Sequence, residues 1–385
     1  MRMLEVLIVG GGVTGAAAAY ALARRGRRVL LLEQFAIGHA RGSSHGLSRL
    51  IGFAYPQRYY TQLAIAARQA WLDLEADTGQ RLLIKTGVLD IGATSVPSLH
   101  ACAVNLAAAG VPFEQLSAAE LRARFPQLAI TDQTIGLYQP DGGMLPASRC
   151  VATLIEQARR YGATIAVGVR VDRIMPDGSG VRVDAAGATY RAQRMVMAAG
   201  SYTPVLLRSL GISFPLLVTR EQVAFFLARD RVLSKAGYLP VIVDHSDGRE
   251  PSLICFPDLG EGVKAERHGV GPLVHDPYEP PPPPDPAENE RIARRLEQTL
   301  PGFASRLVRA ETCRYTHTPD GDFLIDRHPE YGQIAIAVPC AGHGFKFAPL
   351  IGEILADLAV QGTTPYDIAP FRLDRLRKQK AVALA

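Results

Sequence analysis

Near its start the chain alternates short unbroken apolar runs with glycine and alanine. Val6–Val9 is a β-rich apolar run, Gly10, Gly12 and Gly15 follow it, and Ala16–Arg25 is alanine-rich and helix-favouring. Val29–Leu32 is a second apolar run that ends at Glu33. Continuous apolar strands joined by a helix predict a parallel sheet covered on both faces. Downstream, the pattern predicts a helix over Ala152–Tyr161, strands over Thr164–Val171, Arg194–Ala199 and Ile334–Val338, and a closing helix over Leu350–Val360.

Segments of different character lie between these. Leu82–Gly92, Ile135–Gln139, Gln222–Leu227 and Pro240–Asp244 read as strands, and the prolines Pro280 to Pro284 make Pro277–Pro286 a loop with polyproline character. No internal repeat is visible. The expected fold class is α/β, with a Rossmann-like GxGxxG domain interleaved with a mixed-sheet α+β substrate domain. The nucleotide-type domain is expected at 1–85, 145–215 and 316–385, and the substrate and catalytic domain at 86–144 and 216–315.

Composition bounds this picture. A chain of 385 residues with 48% apolar content has room for two domains with large cores. A net charge of +5 gives no electrostatic case for binding nucleic acid. Five scattered cysteines (Cys102, Cys150, Cys255, Cys313 and Cys340) form no CxxC pair and no disulfide pattern, which predicts reduced thiols and a cytoplasmic protein. Neither a signal peptide nor an uninterrupted apolar span of about 18 residues is expected. The basic segment Arg372–Lys380 reads as a solvated extension.

Gly10-Gly11-Gly12-Val13-Thr14-Gly15 fits G-x-G-x-x-G in the right setting, after a strand and opening a helix. The first glycine permits the turn, the second lets a pyrophosphate approach the backbone, and the third allows close helix–strand packing. The helix N-terminus offers free N–H groups to phosphate, and Glu33 is placed to accept from ribose hydroxyls. The motif leaves open whether the dinucleotide is FAD or NAD.

Five later segments occur in order: Gly42-Ser43-Ser44-His45-Gly46-Leu47-Ser48-Arg49-Leu50-Ile51, Lys85-Thr86-Gly87-Val88-Leu89, Cys313-Arg314-Tyr315-Thr316, Asp322-Phe323-Leu324-Ile325-Asp326 and Gly342-His343-Gly344-Phe345-Lys346-Phe347. From Val6 to about Arg372 the chain resembles the monomeric sarcosine oxidase and N-methyltryptophan oxidase family, within the D-amino-acid-oxidase-like flavoproteins. The resemblance implies FAD, joined through its 8α-methyl carbon to the sulfur of Cys313, and no metal. It places Gly10, Gly12, Val13, Thr14, Gly15, Glu33, Ser44, His45, Arg49, Val171, Cys313, Gly344, Phe345 and Lys346 at the cofactor. It further implies that His45 and Arg49 face the flavin ring, where a cation would stabilise the negative charge gained on reduction. Lys264 aligns with a lysine that promotes oxygen reduction, and His268 with a substrate-pocket histidine. Lys346 is implied to bind the substrate carboxylate, with Tyr315 bordering the same pocket.

One departure stands out. Where the family carries a second carboxylate-binding arginine, three residues beyond Arg49, this chain has Gly52. Its absence removes a charge-assisted contact worth about 1.5–3 kcal/mol and suggests spare volume for a bulkier secondary amine or a cyclic imino acid. The implied reaction oxidises the C–N bond of a secondary amine, an N-methyl amino acid such as sarcosine or a cyclic imino acid, to an imine, and dioxygen becomes hydrogen peroxide. No catalytic carboxylate is apparent in the sequence. The partners expected are a small amine and dioxygen, with neither nucleic acid nor membrane, and the family suggests a monomer. A flavin dehydrogenase with another acceptor, an NAD-dependent dehydrogenase and a non-catalytic flavoprotein subunit are the alternatives.

Overall fold

The computed structural model describes residues 3–212, 214–339 and 341–376. Cys340 and the last part of the basic C-terminal segment lie outside the described residues.

Two large sheets organise the chain. The first runs in the order Leu324–Arg327, Ile334–Val338, Ala188–Met197, Leu4–Val9, Val29–Glu33 and Thr164–Val167. Its central strands pair in parallel: Val6 lies beside Val29 on one side and Arg194 on the other. The two faces of Leu4–Val9 enter different cores, Val6 and Ile8 one and Leu7 and Val9 the other. That burial on both sides explains the unbroken apolar run.

Helix Val13–Arg24 packs on one face against helices Ala147–Arg160 and Ala348–Val360. Small residues allow the approach: a Cβ added at Gly352 would lie 2.6 Å from the Ala17 carbonyl carbon. The alanine run is therefore a packing surface as well as a helix-forming one.

The second sheet runs in the order Arg306–His317, Leu217–Leu227, Val263–Arg267, Leu253–Phe256, Val241–Asp244, Val88–Ala93, Thr134–Gln139 and Glu114–Leu116. It is antiparallel except where Val241–Asp244 runs parallel to Val88–Ala93. The architecture is thus mixed α/β. A small ribbon pairs Arg49–Ile51 with Gly143–Leu145, directly after the loop that holds His45, the histidine loop.

Some sequence expectations shift. The strand expected over Thr164–Val171 divides in two, because Gly168 turns the chain at φ +72°. Thr164–Val167 joins the parallel sheet, while Val171–Asp177 starts an antiparallel meander with Gly180–Ala185. In Leu82–Gly92 only Val88 onward is a strand, running to Ala93; Ile84 makes an isolated bridge to Met144. The helix expected at Ala152 starts at Ala147, after Pro146. The polyproline stretch is a loop tied down by buried Arg314, which donates to the carbonyls of Pro277 at 2.5 Å and Glu279 at 3.0 Å. It ends where Pro286 opens helix Pro286–Thr299, capped by the Asp285 side chain accepting from the Ala287 N–H at 2.9 Å.

Candidate active site

The glycine turn is built by sterics. Gly10 has φ +103°, and a Cβ there would stand 2.5 Å from the Ala198 carbonyl oxygen. A Cβ at Gly15 would meet the Gly10 carbonyl oxygen at 1.9 Å, so the third glycine serves helix–strand contact. Glu33 is buried at the end of its strand and accepts from the Gly11 N–H at 2.6 Å and the Phe35 N–H at 2.8 Å. Ser44 accepts from the Val13 N–H at 3.0 Å, which brings the histidine loop onto the helix N-terminus.

A cavity of about 390 Å³ extends from this turn toward the second sheet. Of the site residues read from sequence, Gly10, Gly12, Val13, Thr14, Glu33, Ser44, His45, Arg49, Val171, Lys264, His268, Cys313, Tyr315, Gly344, Phe345 and Lys346 all line it. Gly15 does not, since it lies beneath the turn.

The loop holding His45 is fixed from several sides. The Ser43 hydroxyl donates to the Arg314 carbonyl, beside Cys313. Arg49 donates to the carbonyls of Ser48 at 2.7 Å, Ser43 at 3.0 Å and His45 at 2.8 Å, folding the loop around its guanidinium. Burial, aided by Arg49, pushes His45 down to about 4, so its ring is neutral at pH 7. Its Nδ1 is buried and has no hydrogen-bond partner, a polar atom that a bound group would satisfy.

Lys264 is buried, donates to the Ser48 carbonyl at 3.0 Å and stands 4.2 Å from the centre of the Phe256 ring. Burial and the Arg49 charge bring it down to about 8, against the opposing pull of Glu266. Lys346 is also brought down to about 8 by burial, opposed by Asp90, and donates to the Tyr55 hydroxyl at 2.7 Å. Tyr55 lies 3.2 Å from His343 Nδ1. Trp71 holds the backbone of this turn by donating to the Lys346 carbonyl at 2.7 Å.

Cys313 is buried in strand Arg306–His317, and burial pushes its thiol up to about 12 despite Arg49. Cys102, Cys150 and Cys255 are buried free thiols that do not line the cavity. Tyr315 stands 3.4 Å from His268 Nδ1 through its hydroxyl.

The structure corrects one expectation and adds to another. Gly52 is not part of the cavity wall: a Cβ there would meet Gln139 and Val88, both at 3.5 Å. The spare volume read into that position is therefore not open to a substrate. Besides Glu33, two further buried carboxylates, Asp90 and Glu266, line the cavity, where the sequence had offered no obvious catalytic carboxylate. Asp90 accepts from Gln139 Nε2 at 2.8 Å and lies 3.1 Å from His245 Nε2. An aspartate inside the apolar run Val88–Ile91 was the available signal for one. The alternation Lys264, Glu266, His268 along one strand face was the signal for the other. Among the described residues, no group of three or more His, Cys, Asp or Glu could hold a metal ion, and no helix is long and apolar enough to cross a membrane.

A glycine cradle at a helix N-terminus, an acid at the second strand's end and a long adjoining cavity define a dinucleotide-binding protein. Residues 5–358 match the DAO family, described as FAD dependent oxidoreductase. The chain belongs to that family and is an FAD-dependent oxidoreductase. It is 34% identical to the peroxisomal sarcosine oxidase of Mus musculus, with 96% of each chain covered. It is 32% identical to the N-methyl-L-tryptophan oxidase of Citrobacter koseri, covering 96% of this chain and 98% of that one. Among solved structures, the open form of NikD, an amino acid oxidase essential for nikkomycin biosynthesis, superposes with a TM-score of 0.85. That pair is 27% identical, covering 97% of this chain and 98% of NikD.

Proposed function

We propose that the protein is an amine oxidase that converts the C–N bond of a secondary amine to an imine and reduces dioxygen to hydrogen peroxide. The substrate class is an N-methyl amino acid such as sarcosine, or a cyclic imino acid. The observation that carries this reading is the convergence of Arg49, Lys264, Lys346 and Cys313 on the one cavity that continues the glycine cradle. FAD supplies the two-electron acceptor for the amine and returns those electrons to dioxygen.

The chain's own groups divide the remaining work. Gly10, Gly12, Val13 and Thr14 hold the pyrophosphate, Glu33 the ribose, and Val171, Gly344 and Phe345 the adjoining walls. Cys313 is the residue that would hold the flavin through a thioether to its 8α carbon; the bond would cost the thiol its proton and leave the flavin two electrons reduced, for dioxygen to reoxidise, and Arg49 and Lys264 are the cations that oppose the burial of its sulfur. His45 and Arg49 supply polarity and charge at the ring, and Lys264 stabilises negative charge developing on dioxygen. Lys346 pairs with the substrate carboxylate, oriented by Tyr55, while Tyr315 and His268 border the substrate. The domains are proposed as 1–85, 145–215 and 316–385 for FAD, and 86–144 and 216–315 for substrate. The enzyme is proposed to act as a cytoplasmic monomer.

With Gly52 off the cavity wall, Lys346 is the cation assigned to the carboxylate. Peroxide release from sarcosine, bulkier N-methyl amino acids, proline and pipecolate tests this together with Lys346→Met. Losing one charge-assisted contact of about 1.5–3 kcal/mol should raise KM for the preferred acid by roughly 10- to 100-fold. Amines lacking the carboxylate should be little affected. An equal penalty on both sets would remove Lys346 from carboxylate binding, and peroxide from none of the substrates would count against the oxidase reading.

A further inference from the structure

Glu266 is a buried carboxylate that the assigned roles leave unused. It lies on strand Val263–Arg267, where alternation puts Lys264, Glu266 and, just past the strand end, His268 on the face toward the cavity. It is only 9% exposed. The nearest titratable partner is the His268 ring, with Nδ1 3.9 Å from Glu266 Oε1. Among the described residues, no Lys or Arg nitrogen comes within ion-pair distance of it. Burial works to raise its carboxyl, but His268, Lys264 and Arg49 outweigh that and hold it below the usual value, as the carboxylate.

A cationic ligand in the cavity would supply the close partner that no Lys or Arg gives this carboxylate. Asp90, another buried acid in the cavity, is different, since Gln139 and His245 meet its two oxygens. Glu266 is linked to the turn that carries Lys346 through His268 and Tyr315. His268 and Tyr315 both pack on Gly342, at the start of the turn that carries Lys346: a Cβ there would lie 2.6 Å from His268 Cε1 and 2.6 Å from Tyr315 Cε2. Lys346 and Glu266 therefore line the same cavity, joined through the packing of His268 and Tyr315 on Gly342.

We infer that Glu266 is the counter-charge for the substrate's ammonium, so that the pocket selects zwitterionic amino acids, with carboxylate at Lys346 and cationic nitrogen at Glu266. The inference rests on the amine-oxidase reading and names the charge state of its substrate.

Two unreactive ligands of the same shape isolate this charge. Glycine betaine carries a quaternary nitrogen where 3,3-dimethylbutanoate carries carbon, and both keep the carboxylate. Each is titrated into the holoenzyme and followed by the perturbation of flavin absorbance. Glu266→Gln should raise the Kd of betaine at least about tenfold and leave that of dimethylbutanoate within about twofold. Glu266→Asp retracts the charge without removing it, and should reduce the preference for betaine in the same direction by a smaller factor. Should the glutamine variant not fold, the aspartate variant decides, and an unchanged preference there overturns the assignment. Equal shifts for both ligands, no shift for either, or no binding of either to the wild type overturn it as well. A failed oxidase reading shows differently, as a flavin that no amine bleaches while the two ligands still respond to Glu266.

Discussion

Replacing Lys264 with methionine should slow reoxidation of the reduced flavin by dioxygen about 10²- to 10³-fold, the range for removing one preorganised charge stabiliser. Reduction by the amine under anaerobic conditions should change little. The side chain is fixed by the Ser48 carbonyl at 3.0 Å and by the face of Phe256, so its charge is held in one place. Methionine preserves the bulk and removes only the charge. The sign of the pH dependence follows from its lowered pKa of about 8. The cation dominates below pH 8 and is lost above it, so the oxygen rate of the wild type should fall as pH rises through about 8. The methionine variant should lack that fall. Stopped-flow measurement of the two half-reactions separates the outcomes. A variant whose oxygen rate matches the wild type would favour a dehydrogenase with another acceptor.

Cys313→Ser should abolish attachment of flavin to the chain. In the wild type, acid precipitation should leave the yellow colour with the protein, and digestion should carry it on the peptide containing Cys313. In the serine variant all of the flavin should appear in the supernatant. Serine is nearly isosteric, and its neighbours on strand Arg306–His317 keep their pairing with Leu217–Leu227, so the fold should survive. Cys102, Cys150 and Cys255 are buried away from the cavity and offer no substitute. Free flavin from the wild type would remove the covalent assignment while leaving FAD binding intact.

The first strand, glycine turn and helix were legible because each rests on local rules: apolar runs, glycine sterics and helix propensity. Glu33 was legible for the same reason, as the acid that ends a buried strand. Long-range assembly was not. Helix Arg58–Thr78 buries Tyr60, Leu63, Ala64, Ala67, Trp71 and Leu74, a helical stripe diluted by intervening small and polar residues. The break at Gly168 depends on a single backbone angle. The resemblance grouped Lys264, Cys313 and Lys346, which line one cavity, while Glu266 shares the strand face of Lys264, a signal readable only once Val263–Arg267 is known as a strand. Gly52 shows the converse: its identity was plain, while the direction it faces was decided by Gln139 and Val88 on neighbouring strands.

This cavity is proposed to oxidise an amine and pass the electrons to dioxygen. Anaerobic mixing of the holoenzyme with an N-methyl amino acid or a cyclic imino acid, followed by admission of air, tests it most directly. Full bleaching of the flavin by the amine is expected, then return of the yellow colour with one hydrogen peroxide formed per flavin. A flavin that stays oxidised with every such amine, or one that bleaches and does not recover in air, would contradict it.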